Sequence, residues 1–433
     1  MARKIIRPGG TVTGVASLPG DKSISHRYAI LAALAEGRSS IANFSPAADC
    51  AATLECLARL GVKIERAKDG VHILGKGLDG LAAPRRSLNA KNSGTTMRLL
   101  AGVLAGQKFS STLTGDSSLC RRPMRRVIEP LALMGAHITA RESEFPPLTI
   151  RGAPLRAIDY AAPLPSAQVK SAILLAGLFA DGCTSVTEPV ATRDHTEIAL
   201  LEFGASIRRT KKFVQVEGRP HLHPCSLTVP GDLSSTVFFL AAALILPGSD
   251  LVLEGVGLNP TRTAVLDFLV SIDAPIRIVS VAMRDGELVG NLAVRHAALR
   301  GGTISGPAVA AMIDELPMLA ALAPYTEQGI EIRDARELRV KESDRIAALS
   351  SGLRAIGAQV EEFPDGLRVA GRSAGRLRGG AAIDSSGDHR IAMALAIAAL
   401  GAEKETVIRG AECAAVSFPD FFPALERLIS PVG

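Results

Sequence analysis

The chain has no tryptophan and only 3 tyrosines in 433 residues, which leaves it little with which to stack bases. No run of consecutive lysines and arginines resembles a nucleic-acid-binding arm. The 6 cysteines, Cys50, Cys56, Cys120, Cys183, Cys225 and Cys413, include no C-x-x-C pair. In a chain this long they read as reduced, mostly buried thiols, which points to the cytoplasm. The longest apolar stretch, residues 237–246, is too short to span a bilayer. The opening M-A-R-K-I-I-R-P-G-G lacks the apolar core of a secretory signal. His221-x-His223 sits in a proline-flanked stretch that reads as a surface loop, so no metal site is expected. Nucleic acid, membrane and metal are thereby set aside as partners.

What the chain does have is a hydrophobic fraction of 47% with 21% charged residues, the balance of a well-packed globule. Its length calls for two or three domains. The formal net charge of +6 leans toward anionic ligands. That charge has a local focus in L-P-G-D-K-S-I-S-H-R at 18–27. Pro19-Gly20 breaks the preceding segment, Ser23 stands where a helix N-cap is expected, and an apolar run at 28–34 carries the helix on. Lys22, Ser23 and Arg27 then gather at a helix N-terminus, where free N–H groups and the macrodipole favour anions. A phosphate or carboxylate pocket and an ordinary capped helix both fit these ten residues.

The same pattern recurs. Polar clusters open apolar helices at Asn92-Ser93-Gly94 with Arg98, Ser166-Ala167-Gln168, Leu233-Ser234-Ser235, Asp314-Glu315 and Asp388-His389-Arg390. Each is followed by a strand-like segment, and most then by an amphipathic helix ending in a phrase such as L-A-R-L-G-V-K-I or L-A-L-M-G-A-H-I. The starts are about 70–80 residues apart, the size of a compact α/β unit rather than a solenoid repeat. The reading is α/β: a βαβαββ unit six times, as two domains of three units each. The first helix of each unit should be buried all round, and parallel buried helices should present their N-termini on one face. A middle domain is expected at 21–230, and residues 1–20 with 231–433 form the second, with crossings near residues 20 and 230.

Eight motifs in order make the chain resemble the 5-enolpyruvylshikimate-3-phosphate (EPSP) synthase family. They are the stretch at 18–27, N-S-G-T-T-M-R at 92–98, R-R-P-M at 121–124, P-S-A-Q-V-K-S at 165–171, T-R-D-H-T-E at 192–197, D-E-L-P at 314–317, V-K-E-S-D-R-I at 340–346 and G-D-H-R-I-A-M at 387–393. The resemblance implies an enolpyruvyl transferase-like fold with a cleft between the domains. It implies transfer of the enolpyruvyl group of phosphoenolpyruvate to the 5-hydroxyl of shikimate 3-phosphate with release of phosphate, in aromatic amino acid biosynthesis. No metal or other cofactor is implied, and a cytoplasmic monomer is expected.

Carried over by position, Lys22 touches both substrates and is grouped with the catalytic residues. Ser23, Arg27, Ser166, Ala167, Gln168 and Arg193 hold shikimate 3-phosphate, with Asp314 and Lys341 beside it. Gly94, Arg122, Gln168, Arg345 and Arg390 hold phosphoenolpyruvate; arginine suits its carboxylate and phosphate because a planar fork bonds either one bidentately. Asp314 takes the role of base for the hydroxyl and Glu342 that of acid for the methylene carbon. His26, His195 and His389 orient neighbours. Many members have a lysine in A-K-T-F-P-D near the C-terminus; here Val416 stands at that place, as in a branch with T-R-D-H-T-E. The sister transferase acting on UDP-N-acetylglucosamine would need a reactive cysteine, for which Cys120 is the nearest candidate, but the phosphoshikimate motifs argue against it.

Overall fold

A computed structural model describes residues 2–430. The chain packs as two units. The middle unit is Gly20–Val229 together with Arg284–Glu287; the terminal unit is the chain up to Pro19, Pro230–Met283 and everything from Leu288 on.

Three four-stranded sheets in the middle unit share one plan: a parallel pair, then two antiparallel neighbours. Leu88–Asn89 lies parallel to Ser110–Thr114, which pairs antiparallel with Phe145–Arg151, which pairs with His137–Arg141. Asp159–Ala161, Cys183–Thr187, Phe213–Glu217 and Ile207–Arg209 repeat this order. In the remaining sheet Glu36–Ala42 takes its parallel neighbour from Ser226–Thr228, with Ser226 opposite Ser40, so the last strand of the unit completes its first repeat.

Under the sheets lie the helices Lys22–Leu34, Gly94–Ala105 and Ala167–Gly177, apolar on nearly every side and buried. Two of them approach closely: a Cβ at Gly102 would lie 2.2 Å from the Ala172 carbonyl oxygen, so only glycine permits that spacing. Ser93 and Ser166 cap their helices by accepting from Thr96 N and Val169 N. The first helix departs from expectation. Asp21, not Ser23, is the N-cap: its carboxylate accepts from Ile24 N at 2.9 Å. The helix starts two residues earlier after the Pro-Gly break, which places Ser23 inside the first turn with its carbonyl available to Arg27.

The terminal unit repeats the plan with modifications. Gly302–Ile304, Ile330–Ile332, Gly366–Val369 and Val360–Phe363 follow it as they stand. Thr11–Ser17 lies parallel to Asp250–Gly257, and Glu287–Arg295 and Ile276–Arg284 follow, with Ile429–Ser430 added at the far edge. The turn of that long hairpin, Asp285-Gly286, has φ of 49° and 72°, the left-handed pair that a two-residue hairpin requires. The sixth repeat lacks its own hairpin. Ala382–Asp384 lies parallel to Thr406–Arg409, and the N-terminal strand Arg3–Ile6 supplies the antiparallel neighbour. Every residue of the helices Leu233–Ile245, Leu316–Leu322 and His389–Leu400 is buried.

The cysteines correct one expectation. All six are free thiols, but only Cys50 and Cys56 are buried, and Cys183 is exposed. Cys183 is the first residue of its strand and lies exposed at the strand's end, whereas the buried pair lies on the inner side of the helix Ala48–Arg59. No helix among the described residues is long and apolar enough to cross a membrane.

Candidate active site

In the middle unit the first turns of all three core helices meet. Lys22 begins one helix, and its Nζ lies 2.8 Å from Asp49 Oδ2 on the helix Ala48–Arg59. Arg27, one turn on, is buried. Its Nε donates to Thr196 Oγ1 at 2.6 Å, one terminal nitrogen to the Ser23 carbonyl at 2.8 Å and the other to Ser171 Oγ at 2.7 Å. Arg98 donates to Gln168 Oε1 at 2.8 Å, and Gln168 Nε2 donates to Thr95 Oγ1 at 3.0 Å, which ties the second helix start to the third. Arg122 follows the short turn Leu119–Arg121 and donates to Asn92 Oδ1 at 2.7 Å. A Cβ at Gly94 would lie 2.6 Å from Arg98 Nη1 and 3.4 Å from Arg122 Nη1, so two guanidinium groups flank a glycine at a helix N-terminus. Burial, partly offset by Glu197 and Asp21 and reinforced by Arg193, lowers the pKa of Arg27 to about 10; it remains a cation at neutral pH. Four cations and the tips of three helix dipoles thus converge, an arrangement suited to multiply charged anions.

Beneath this layer His26 is fully buried. Its Nδ1 is 2.7 Å from Thr53 Oγ1, which is 2.7 Å from Thr96 Oγ1. Burial first, then the charges of Lys22 and Arg27, hold its pKa well below 6.5. Folded His26 is therefore neutral where an unfolded histidine takes up a proton. From pH 6.5 downward the unfolded chain binds that proton and the folded chain does not, so stability falls with pH by up to about 1.4 kcal/mol per unit. His26→Gln is expected to flatten the urea-midpoint slope between about pH 6.5 and 5; an unchanged slope would assign it to other groups.

The terminal unit holds a second convergence. Asp388 caps the helix His389–Leu400 by accepting from Arg390 N at 2.9 Å. The Arg345 side chain is 1% exposed and meets three carboxylates: Nε donates to Asp388 Oδ2 at 2.8 Å, Nη2 to Glu342 Oε2 at 2.6 Å, and Nη1 is 3.8 Å from Asp314 Oδ1. Burial opposes the charge of Arg345, but Asp388, Glu342 and Asp314 outweigh it and raise its pKa. Arg390 donates to the Asp314 carbonyl at 2.7 Å, and its Nε is 3.8 Å from Asp314 Oδ1. Glu315, next in the chain, is buried against Arg262 at 3.2 Å and accepts from Ser234 Oγ, which joins the starts of two more core helices. Lys341 Nζ is 2.9 Å from Glu337 Oε1. The Glu342 and Asp314 side chains are 20% and 21% exposed, so the two carboxylates reach solvent in front of a buried arginine.

The sequence profile of EPSP synthase (3-phosphoshikimate 1-carboxyvinyltransferase) matches residues 6–425. The chain belongs to the EPSP synthase family. A curated relative of that enzyme name from Solibacter usitatus is 54% identical over 425 residues, 98% of this chain and 99% of the relative. The EPSP synthase structure from Acinetobacter baumannii superposes with a TM-score of 0.88 at 40% identity, covering 100% of this chain and 99% of the other. The enolpyruvyl transferase NikO from Streptomyces tendae, at 18% identity and a TM-score of 0.79 over 98% and 96% of the two chains, shares the fold.

Within the family motifs, the structure gathers Lys22, Ser23, Arg27, Gly94, Arg122, Ser166, Ala167 and Gln168 at the helix starts of the middle unit, with Arg193 on the adjoining loop. It gathers Asp314, Glu342, Arg345 and Arg390 in the terminal unit, with Lys341 turned to Glu337. Asp49 is a polar partner outside the motifs, and Arg98 and Asp388 lie inside them without an assigned substrate contact. Asp49 and Asp388 each hold a cation 27 or more residues away in sequence. Arg339 is a further one: it donates to Asp344 Oδ2 at 2.8 Å, Glu362 Oε1 at 3.1 Å and the Phe363 and Pro364 carbonyls, pinning the loop that carries Lys341 and Glu342. The only sequence signal for it is an arginine five residues before a helix-capping aspartate.

Proposed function

We propose that the chain transfers the enolpyruvyl group of phosphoenolpyruvate to the 5-hydroxyl of shikimate 3-phosphate and releases phosphate. The observation that carries this reading is the family match from residue 6 to residue 425. Two phosphates and two carboxylates enter the reaction, and Lys22, Arg27, Arg98 and Arg122 at converging helix tips supply the matching charge. In this reading Ser23, Arg27, Ser166, Ala167, Gln168 and Arg193 hold shikimate 3-phosphate, and Lys22, Gly94, Arg122, Gln168, Arg345 and Arg390 hold phosphoenolpyruvate. Glu342 protonates the methylene carbon, which leaves C2 cationic. Asp314 takes the proton of the 5-hydroxyl as its oxygen bonds to C2, giving a tetrahedral ketal. Loss of a proton from the methyl group and departure of phosphate then restore the double bond, with lysine and arginine charge stabilising the leaving group. We read the two packing units as the two domains of this enzyme, acting as a monomer in the cytoplasm.

Phosphate release measured with phosphoenolpyruvate, with and without shikimate 3-phosphate, tests the reading. Release that needs shikimate 3-phosphate supports it. Release with UDP-N-acetylglucosamine instead would transfer the chain to the sister reaction. Gly94→Ala adds a finer check. The new methyl displaces the Arg98 guanidinium from its bond to Gln168, so KM for phosphoenolpyruvate should rise about 10-fold, the scale of one charge-assisted hydrogen bond. An unchanged KM would remove Arg98 and Gly94 from that pocket.

A further inference from the structure

Behind Arg27 lies a buried ionic cluster that the proposed chemistry does not use. Lys170 Nζ is 2.8 Å from Glu188 Oε2 and 2.8 Å from Glu197 Oε1, and all three side chains are 4% exposed. With Arg27 the four charges sum to zero. Burial opposes the charge of Lys170, but Glu197 and Glu188 outweigh it and raise its pKa, so Lys170 is a cation; burial also raises the pKa of Glu197, against the charge of Lys170.

Its position gives it a direction. Lys170 and Glu197 are each one residue from a hydroxyl that receives Arg27: Ser171 takes one terminal nitrogen at 2.7 Å and Thr196 takes Nε at 2.6 Å. Ser171 Oγ is 2.6 Å from Thr196 Oγ1 and donates to the Ala167 carbonyl at 2.6 Å. An arginine can only donate, so the hydrogens run one way, from Arg27 Nε to Thr196, from Thr196 to Ser171, and from Ser171 to Ala167. With the bond to the Ser23 carbonyl, three of the five N–H groups are committed, which leaves one hydrogen on each terminal nitrogen for a fork on an oxyanion. The other arm of the cluster runs from Glu188, which accepts from both the Thr192 hydroxyl and its backbone N–H, to the residue before Arg193.

We infer that Lys170, through Glu197 and Glu188, is a positioning residue that aims Arg27 and Arg193 at the phosphate of the acceptor substrate. The inference rests on the proposed function and adds to it which buried groups set acceptor affinity. The ionic pair fixes the spacing of residues 170 and 196–197, and the two hydroxyls then fix the plane of the guanidinium. Loosening the pair should weaken acceptor binding and leave the chemical step untouched.

The test is steady-state kinetics on Lys170→Met and Glu197→Gln, alone and with Arg27→Ala. Glu197→Gln keeps the volume and leaves Lys170 and Glu188 as a neutral pair, so it serves even if Lys170→Met fails to fold. KM for shikimate 3-phosphate is expected to rise about 10-fold or more in Lys170→Met and about 5-fold in Glu197→Gln, with kcat and KM for phosphoenolpyruvate within about 2-fold. In the Arg27→Ala background the Glu197→Gln step should shrink to less than about 2-fold, because its effect passes through Arg27. Additive effects, or equal rises in both KM values, would overturn the inference and leave the cluster a general stabiliser. Wild-type protein that releases no phosphate with both substrates would instead sink the functional reading, and calorimetric binding of shikimate 3-phosphate to the same variants would still decide the positioning role.

Discussion

Asp314→Asn is expected to lower kcat by about 10²–10⁴-fold, the span of a lost general base, while calorimetric affinity for shikimate 3-phosphate changes less than about 3-fold. The surroundings of Asp314 make this substitution a clean one. Its carbonyl oxygen, not its carboxylate, accepts the 2.7 Å bond from Arg390, and asparagine keeps that backbone contact. The side chain is one-fifth exposed and stands 3.8 Å from both Arg345 Nη1 and Arg390 Nε. An amide fits the same space and keeps an oxygen facing the two arginines. What it cannot do is take a proton from a hydroxyl. Turnover within about 3-fold of wild type would exclude Asp314 as the base. A comparable loss of acceptor affinity would make its role one of binding.

The residues easiest to find from the sequence are those whose job is local. Lys22, Arg27, Gly94, Arg98, Gln168 and Arg390 sit within one turn of a helix start, and the sixfold recurrence of polar cluster before apolar run marks those starts. The cap of the first helix is a near miss of two residues, because Asp21 and Ser23 are both competent caps and only the path out of Pro19-Gly20 chooses between them. What the sequence hides is pairing at a distance. Asp388 reads as an N-cap, which it is, but nothing local says that its second oxygen holds Arg345. Lys170 reads as one polar residue on an apolar helix, a place where lysine is costly, and its partners at 188 and 197 lie on the following loop and helix. The sixth repeat looks truncated because its antiparallel strand, Arg3–Ile6, is at the other end of the chain. Periodicity reports which face of an element is buried, not which distant group meets it there.

The largest expected loss of stability is at Asp388. Asp388→Ala is expected to destabilise the terminal unit by about 3–5 kcal/mol, the cost of leaving a buried charge without its partner, with about 1 kcal/mol more for the lost helix cap. Asp388 is fully buried and does three things: it accepts from Arg390 N, from Ser343 Oγ at 3.2 Å and from Arg345 Nε. Without it, Arg345 keeps only the partly exposed Glu342 within hydrogen-bond distance. Burial alone would raise the pKa of Asp388, but Arg345 and then His389 reverse this and hold it below the usual aspartate range. The sign follows: the unfolded carboxyl takes up its proton first as pH falls, so the contribution is complete above about pH 4 and is lost only on further acidification. Asp388→Asn separates the two roles. An amide still caps the helix but carries no charge, so it should recover the cap and little of the ionic part. Urea unfolding followed at pH 7 and pH 3.5 reads both. At pH 7 the order of midpoints should be wild type, Asn, Ala, and at pH 3.5 the gap between wild type and Asn should narrow. A gap that stays the same at both pH values would mean that Arg345 does not depend on the charge of Asp388, and the buried arginine would then owe its place to Glu342 and Asp314.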